Sequence, residues 1–419
     1  MNKDIFSNIW FRNFSIFFTV VLTFILLNNN IIENFIWKFP ELFVDFKVPV
    51  KWLECNYLNY NLFSEDLLKC TSNTFNYGKI LLTIPYSRSL GIFYVNYLPY
   101  ILILISILLI NKIIAAKNLV GYTIFYLSII NPSTIFLFER ANIDLVIFIA
   151  LIVIVYSRIY IINWLLTFFL TFLKIYPVIF LINIFIENKL RKINKIFIIL
   201  FSFFLAGTIY ICFNLNEYIY LLKNLSGTKS GYHFLFSLNS LPKIFRHIFD
   251  INYIFLILFF YSIFIFITFK IKKTFEKELK KFTYDLYSDE VRLFIIGGYL
   301  SLFCFFIFSN WFYREIFLIT TFPYFLKLYY ENKSSILKFL INFIIFKYLF
   351  LFFYSYINVH DNIKYINDLR VFSKPFLIVI FIKSIIDYLL LSIIGSLLII
   401  NTKKFYNEFK RKIFNQKNN

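Results

Sequence analysis

The sequence is poor in the residues that build metal and nucleotide sites in soluble enzymes. Its 419 residues include four cysteines and three histidines, and His233, His247 and His360 stand far apart in the chain. No cysteine and histidine spacing matches a zinc site, and no glycine-rich stretch matches a phosphate-binding loop. The sequence therefore gives no sign of a zinc enzyme or of a nucleotide-binding soluble enzyme.

Apolar residues dominate instead. The chain is 60% hydrophobic and 23% aromatic, with a mean hydropathy of +0.73, and apolar windows long enough to cross a bilayer recur along it. The net charge of +20 indicates orientation here rather than nucleic acid, because lysine and arginine collect on cytoplasmic loops of membrane proteins. The sequence predicts an all-α, polytopic transmembrane helical protein with a single integral membrane domain, residues 1–419.

Apolar windows predict ten membrane spans, with both termini in the cytoplasm. The amino terminus, MNKDIFSNIWFRNF, is basic and lacks a small-residue cleavage site, which is typical of a retained first anchor. The positive-inside rule then places the basic loop 271–291 and the tail 401–419 in the cytoplasm, and the long loops 34–96 and 214–251 outside. The predicted spans are 14–33, 97–115, 119–138, 142–158, 195–213, 252–270, 292–309, 312–330, 336–357 and 375–400.

A short membrane hairpin is predicted at residues 161–186. Arg158 and the basic cluster at 187–195 both suit the cytoplasmic side, so the apolar stretch between them must enter the membrane and return. Pro177 lies in the middle of this stretch, where it breaks a helix, and the residues KIYP form the predicted outer turn. Each arm is too short to cross a core of about 30 Å, so we expect the hairpin to be buried among other helices.

Charged side chains interrupt one apolar stretch at Glu139, Arg140, Asp144 and Lys174. The predicted topology places all four at the outer side together with Asn142, so they can share one site, and ionisable groups beside spans are functional candidates. Structural alternatives stay open. Glu139 and Arg140 can pair at a helix end, Asp144 can interact with a helix dipole, and Lys174 can reach lipid headgroups.

A further charged pair lies at another predicted outer boundary, in the segment NWFYRE at residues 310–315. It consists of Arg314 and Glu315. Arg314 is a candidate for binding an anionic substrate, and an ion pair between the two neighbours is the structural alternative.

The first outer loop is long, rich in tyrosine and acidic. It contains Cys55 and Cys70, which lie outside in this topology, where a disulfide can persist. Cys212 and Cys304 fall within spans and have the character of small apolar residues. The sequence thus predicts a disulfide between Cys55 and Cys70, with free thiols as the alternative. The acidic residues of the loop include Glu41, Asp45, Glu54, Glu65 and Asp66.

Three short motifs follow one another in the first half of the chain: DFKVPVKWLECNYLNYNLF after the first span, ERANID at the start of the fourth, and KIYP in the hairpin. Their order and predicted side resemble the integral membrane glycosyltransferases of the GT-C superfamily, above all family 87, the polyprenyl-phosphate-mannose-dependent mannosyltransferases. The likeness covers residues 10–200, and FSNWFYREIFLITTFPYF at 308–325 is similar to the later half of such proteins. Ala141 stands where the family often has glycine, and the first loop lacks a clear double-acid motif, which argues against the oligosaccharyltransferase branch and against a metal-dependent mechanism.

The resemblance implies transfer of a hexose, with mannose as the first candidate, from a polyprenyl phosphate to an outer-face glycolipid or glycan. The family's first-loop acid falls on Asp45, which would accept the proton of the acceptor hydroxyl in an inverting reaction. Glu41 and Asp66 are the alternative acids. A lipid-linked donor is a substrate rather than a cofactor, so no cofactor and no metal are expected. The resemblance also implies the inner (plasma) membrane of a bacterium.

The same resemblance implies roles for the other charged residues. Lys174, Arg140 or Arg314 would stabilise the charge that grows on the leaving phosphate. Asn142 and Asp144 would bind sugar hydroxyls or hold these cations in place, and Glu139 belongs to the same predicted substrate-binding set.

A flippase or transporter for lipid-linked saccharides is the alternative of a different class, and a polysaccharide polymerase is an enzymatic alternative. A transporter predicts charges along a path across the membrane. In this sequence the charges gather at the predicted outer boundary and the middles of most spans are free of them, and no internal repeat typical of transporters is evident.

Overall fold

The computed structural model describes residues 9–28, 41–186, 193–224, 235–279, 285–306, 310–332, 334–360, 364–366, 369–371 and 374–417. Most of these residues are helical, and each of the four strands among them has only two or three residues. Long apolar helices recur among them. The prediction of an all-α integral membrane protein is confirmed.

The chain divides into two compact units. The single integral membrane domain stays a prediction. The first unit contains Trp37–Ile130 and Thr134–Lys229 together with the amino-terminal helix, and the second contains Asn131–Ser133 and Ser230–Asn419. The helices of the first unit are α1 Ile9–Asn28, α2 Val44–Tyr57, α3 Arg88–Asn96, α4 Leu98–Ile114, α5 Leu119–Ile130, α6 Pro132–Arg140 (from Thr134 onward), α7 Asp144–Ser157, α8 Tyr160–Leu173, α9 Ile182–Ile186, α10 Ile193–Phe213 and α11 Leu215–Asn224, with 3₁₀ helices at Glu65–Lys69, Lys79–Thr83 and Tyr176–Leu181.

The second unit combines long helices with two short antiparallel strand pairs. Strand β1 pairs with β2, with Leu235 opposite Trp311, and β3 pairs with β4, with Lys364 opposite Val371. The elements are β1 Leu235–Phe236, α12 Ser240–Phe249, α13 Tyr253–Leu279, α14 Asp289–Phe306, β2 Asn310–Trp311, a 3₁₀ helix Phe312–Glu315, α15 Ile316–Ile319, α16 Phe322–Asn332, α17 Ser335–His360, β3 Lys364–Ile366, β4 Leu369–Val371 and α18 Lys374–Lys417.

Five helices within the described residues are long and apolar enough to cross a membrane, namely α1, α10, α13, α17 and α18. Two bent pairs, α3 with α4 and α5 with α6, raise the number to seven if each pair is one span. These seven correspond to seven of the ten predicted spans. Helix α7, with 14 residues, is about 21 Å long at 1.5 Å per residue, which is shorter than a bilayer core of about 30 Å.

Some predicted boundaries differ from the observed elements. The predicted span 312–330 is not one helix, because a 3₁₀ turn, α15 and α16 follow one another there and the chain turns at Thr320 and Thr321. The predicted tail 401–419 continues α18 as helix to Lys417, and α13 likewise runs nine residues past its predicted end at 270. Both extensions lack glycine and proline, so their helix propensity lets the spans continue into basic sequence.

The chain reverses direction after α8. Leu181 and Ile184, on the segment that follows the turn, share a buried cluster with Phe203 of α10, and this cluster packs against Tyr160 and Trp164 near the start of α8. The end of the returning segment thus lies beside the beginning of α8. Its membrane side remains a prediction.

Helix α18 is the centre of the second unit, where it packs against α12, α13, α14 and α17. Small residues permit this close packing. Ser396 Oγ donates a 2.6 Å hydrogen bond to the carbonyl of Thr268 on α13, and a Cβ at Gly395 would meet the side chain of Thr268 at 3.4 Å. Small residues at such contacts are typical of membrane helix pairs.

Candidate functional site

Asp45 lies in the first turn of α2. Phe43 precedes this helix in the left-handed conformation, with φ 62°, and its N–H donates a 2.7 Å hydrogen bond to the carbonyl of Glu139. This bond ties the start of α2 to the end of α6. Pro49 has no N–H, so the helical hydrogen bond that would otherwise reach the carbonyl of Asp45 is not made.

Arg140 and Asn142 together hold the carboxylate of Asp45. Arg140 Nε donates to Asp45 Oδ2 at 2.7 Å while its Nη2 donates to Oδ1, which gives a bidentate ion pair. Asn142 Nδ2 donates to Oδ2 at 2.8 Å. The side chains of Asp45 and Arg140 remain 18% and 11% exposed, so the ion pair lies at an accessible surface.

The turn between α6 and α7 brings Arg140 and Asn142 onto the same carboxylate. Its central residue, Ala141, is buried and has φ 47°, in the left-handed region. This conformation costs a residue with a Cβ about 1–2 kcal/mol, whereas glycine adopts it freely. Glycine would therefore adopt this turn at a lower conformational cost than Ala141 does.

The amide of Asn142 joins Asp45 to a second ion pair. Its Oδ1 accepts hydrogen bonds from the N–H of Asp144 and from Lys174 Nζ, both at 3.1 Å. Lys174 Nζ also donates to Asp144 Oδ1 at 2.8 Å, and the hydroxyl of Tyr176 donates to the same oxygen. Asp144 is fully buried at the start of α7, whereas the side chain of Lys174 is 15% exposed. We call Asp45, Arg140, Asn142, Asp144, Lys174 and Tyr176 the open cluster.

Lys174 is positioned by the end of α8 and by the loop between α2 and α3. Gly78 N–H donates to the carbonyl of Leu173, and a Cβ at Gly78 would lie 1.6 Å from the carbonyl oxygen of Phe172, so only glycine fits. The loop can then cross the end of α8, and Lys174 Nζ lies 5.2 Å from the ring centroid of the adjacent Tyr77, a cation–π distance.

The predicted site residues fall into three groups. The open cluster contains the five that the structure brings together in the first unit. Glu139 is next to them in sequence, but its side chain is buried and its backbone carbonyl makes the bond to Phe43. Arg314 belongs to the second unit, where it is half-buried in the 3₁₀ turn Phe312–Glu315.

Two links fix the segment from α2 to α3, residues 44–96, within the first unit. A disulfide joins Cys55 in α2 to Cys70, 15 residues later. Lys79 Nζ donates a 2.5 Å hydrogen bond to Glu217 Oε1 on α11, and this bond holds the pKa of Glu217 below its usual value. These links anchor the loop that carries Asp45, Tyr77 and Gly78.

The second unit contains a different charged network. Lys347 Nζ lies 2.6 Å from both Glu315 Oε2 and Asp387 Oδ1, and Lys383 Nζ lies 3.1 Å from Glu315 Oε1 and 2.8 Å from Asp387 Oδ2. Lys383 also donates to the carbonyl of Leu235 at 3.0 Å. All four charged side chains are at most 4% exposed. We call these four residues the sealed ring.

Sequence reasoning missed both the sealed ring and the supports of Lys174. Lys347 lies near the middle of α17, and Lys383 and Asp387 lie inside α18, so charges do occur within long apolar helices. The spacing of Lys383 and Asp387, four residues apart on one helix face, was a usable signal. Tyr77 and Gly78 gave no sequence signal, because their role depends on the place where their loop passes over the end of α8.

The open cluster offers an acceptor for protons beside two cations. A carboxylate can accept about four hydrogen bonds, and Arg140 and Asn142 fill three such positions on Asp45, one at Oδ1 and two at Oδ2. A further donor, such as a hydroxyl, can therefore approach Oδ1. Across the described residues, no three carboxylate, thiol or imidazole side chains gather as metal ligands do.

The helices and the open cluster define an α-helical integral membrane protein with a charged, accessible site in its first unit. Comparison with protein families and with curated proteins finds no match for this chain. Its class therefore rests on its own helices and charges.

Proposed function

We propose that this protein is a membrane glycosyltransferase of the GT-C type. It transfers a hexose, with mannose as the first candidate, from a polyprenyl phosphate to a glycolipid or glycan at the outer face, with inversion. The proposal includes cytoplasmic termini, which agree with the distribution of basic residues, and the inner membrane of a bacterium.

One observation carries the proposal: a partly exposed carboxylate at the start of α2 lies in hydrogen-bond contact with an arginine and, through one amide, with a lysine. Asp45 Oδ1 accepts the proton of the acceptor hydroxyl. The oxygen of that hydroxyl attacks the anomeric carbon, the bond from this carbon to the phosphate oxygen breaks, and the configuration inverts.

Arg140 and Lys174 stabilise the phosphate that leaves. Arg140 donates to Asp45, which also accepts a hydrogen bond from Asn142, and Lys174 donates to Asn142 itself, so the two cations are connected through one amide and one carboxylate. Charge that develops on the phosphate in the transition state is then balanced by groups that are already in place, which is the main source of such catalysis. Asp144 and Tyr176 lie behind Lys174 and fix its position.

The bidentate pair of Arg140 with Asp45 also suggests an order of events. A bound phosphate competes with Asp45 for the guanidinium, since arginine binds both groups through the same planar fork. Donor binding thereby loosens one hydrogen bond to the carboxylate and leaves it able to accept the proton of the acceptor hydroxyl.

The test is transfer of radiolabelled sugar from polyprenyl-phosphate-mannose to lipid acceptors in membranes that contain the protein. We expect Asp45→Asn to lower the rate by about 10²–10⁴-fold. The matched control is Asp66→Asn in the same loop, because Asp66 is an exposed acid paired with Lys69 and should be dispensable.

Arg314→Gln in the same assay tests the third predicted cation.

Full activity of stably inserted Asp45→Asn protein would refute the assigned base. Absence of transfer from every lipid-phosphate sugar tested, with the protein folded, would favour the flippase alternative. The sealed ring gives that alternative no support, because its charges are buried and paired rather than exposed along a path.

A further inference from the structure

Three helices of the second unit enclose an apolar groove of about 400 Å³, which is within the range of small-molecule sites. Helices α13 and α17 each pack against α18, and the groove is lined by side chains of all three. Of its lining residues, Phe275, Leu340 and Ile393 are buried, whereas Phe339 is 64% exposed. Thr274 and Ser335 are the polar residues of its lining.

The groove lies where two apolar helices reach the basic ends of their sequences. Its lining residues from α13 follow the apolar stretch that ends at Phe269, and those from α17 belong to the first two turns of that helix. The apolar lining thus meets the headgroup level of a bilayer, and the positive-inside rule assigns these basic ends to the cytoplasm. The lysines on these turns are Lys270, Lys272, Lys273 and Lys277 on α13 and Lys338 on α17.

Charge favours one kind of occupant. Five lysines against Glu276 and Glu278 give this end of the helix pair a net charge of +3. Long lysine side chains can reach a phosphate while their methylene groups cover apolar surface. Basic pockets between membrane helices on the cytoplasmic side are suited to anionic lipid headgroups, whereas a zwitterionic lipid gains less from the same charges.

We propose that this groove is a binding site for one anionic phospholipid of the bilayer. One acyl chain lies against Phe275, Leu340 and Ile393, and the phosphate of the headgroup lies among the lysines. The hydroxyls of Thr274 and Ser335 are available to the ester region of the lipid. The inference does not depend on the proposed transferase activity, because it uses no residue of the open cluster.

The test is native mass spectrometry of the full-length protein in mild detergent, after addition of phosphatidylglycerol, phosphatidylcholine or polyprenyl phosphate. We expect one retained phosphatidylglycerol and weaker retention of phosphatidylcholine with the same acyl chains. Because each lysine near a lipid surface contributes about a factor of five in affinity, Lys272→Gln with Lys273→Gln and Lys338→Gln should lower the affinity about 100-fold.

Two further variants separate charge from shape. Ser335→Trp places a large side chain in the groove while every lysine stays, and it should reduce lipid retention without a change in net charge. Lys112→Gln with Lys117→Gln removes two exposed cations of the first unit, which contributes no residue to the lining of the groove, and it should leave retention within about twofold of the wild type.

Three results would overturn the proposal. One is equal retention of phosphatidylcholine and phosphatidylglycerol by the wild type, or retention of neither. Another is unchanged retention of phosphatidylglycerol by both the lysine variant and Ser335→Trp. The last is stronger retention of polyprenyl phosphate than of phosphatidylglycerol at this groove, shown by its loss in Ser335→Trp, which would assign the groove to a prenyl lipid.

Discussion

The open cluster and the sealed ring are both networks of paired charges, but they differ in their access to solvent. In the open cluster, Asp45, Arg140 and Lys174 keep 11–18% of their side-chain surface exposed. In the sealed ring, each lysine contacts both carboxylates and no side chain is more than 4% exposed. Charge pairing is therefore common to the two regions, and access is what distinguishes them.

This difference indicates what each network does. The sealed ring has two positive and two negative charges, so its net charge is zero. Its ion pairs join α17, α18 and the turn that ends at Glu315, and they thereby hold these elements of the second unit together. The open cluster joins α2, the α6–α7 turn and the end of α8 at an accessible surface, so an anion can compete for its cations. Charges in apolar helices thus have a structural role in one region and a proposed chemical role in the other.

The largest effect on stability is expected from Lys347→Met in the sealed ring. Removal of this lysine leaves two buried carboxylates with one cation, and breaking a buried ion pair in this way costs about 3–5 kcal/mol. Thermal unfolding in detergent measures the loss. Lys338→Met, on the same helix but exposed, is the control and should stay within about 0.5 kcal/mol of the wild type.

A paired substitution sharpens this result. Lys347→Met with Asp387→Leu removes one charge of each sign and should recover part of the lost stability, since Lys383 and Glu315 remain paired. A cost below about 1 kcal/mol for Lys347→Met alone would mean that water reaches the ring and that the contrast between the two regions is wrong.

The next effect is expected from Gly78→Ala, which acts on the open cluster alone. The new Cβ would lie 1.6 Å from the carbonyl oxygen of Phe172, so the loop or the end of α8 must move, at a cost of about 1–3 kcal/mol. Because Lys174 follows Phe172 by two residues, this movement should displace Lys174. We therefore expect the rate of sugar transfer to fall by a larger factor than the loss in the free energy of unfolding alone would explain.

The control for Gly78→Ala uses the same neighbour. A Cβ at Gly207 on α10 would meet only the far end of the Phe172 ring, at 3.1 Å, and a ring can yield where a backbone carbonyl cannot. Alanine also favours helix over glycine by up to about 1 kcal/mol. Gly207→Ala should therefore be neutral or stabilising, and an equal loss in both variants would show that Gly78 has no special position.

The sequence predicted the parts of this structure that depend on local pattern. Apolar windows located the long helices, and the motifs that carry Asp45, Asn142 and Lys174 predicted residues that the fold does bring together. These segments are far apart in the chain, so the prediction that they share one site rested on the predicted topology and on the resemblance. Neither predicted which atoms would form hydrogen bonds. That Asp45 accepts hydrogen bonds from Arg140 depends on the left-handed turn at Ala141, which no pattern predicted.

The sealed ring shows why other features were missed. Its lysines lie in stretches apolar enough to count as ordinary spans, and average hydropathy conceals one or two charges in a long window. The basic composition of residues 401–419 predicted a cytoplasmic tail and gave no sign that α18 continues as a helix to Lys417. Charge indicates the membrane side of a segment, and helix propensity decides its conformation.

A smaller gain is expected from Ala141→Gly at the centre of the open cluster. Relief of the left-handed conformation contributes about 1–2 kcal/mol, and the greater freedom of glycine in the unfolded chain offsets about 0.4–1 kcal/mol. The net expectation is a rise of about 0.5–1 kcal/mol in the free energy of unfolding. Ala115→Gly, with φ 43° at the end of α4, is the control and should give the same gain. A change in transfer rate for Ala141→Gly alone would show that this turn sets the position of Arg140 and Asn142.

The smallest effect concerns the pair of Lys79 with Glu217, which anchors the loop between α2 and α3 near the open cluster. The hydrogen bond from Lys79 lowers the pKa of Glu217 from its usual 4.5. Its contribution is therefore fully present above pH 4.5 and is lost as the pH falls through the lowered value. The side chains are 38% and 23% exposed, so the contribution is at most about 1 kcal/mol.

Thermal unfolding at about pH 7 and about pH 3 checks this sign. The wild type should lose more stability on acidification than Glu217→Gln, which has no carboxylate to protonate at this position. Glu41→Gln is the control, because Glu41 is 71% exposed in its pair with Lys47 and should not alter the difference. If Glu217→Gln and the wild type lost equal stability in acid, the ion pair would contribute nothing measurable to holding the loop. The disulfide and the contact of Gly78 with the end of α8 would then hold it. The open cluster would then depend on backbone geometry more than on the charges around it.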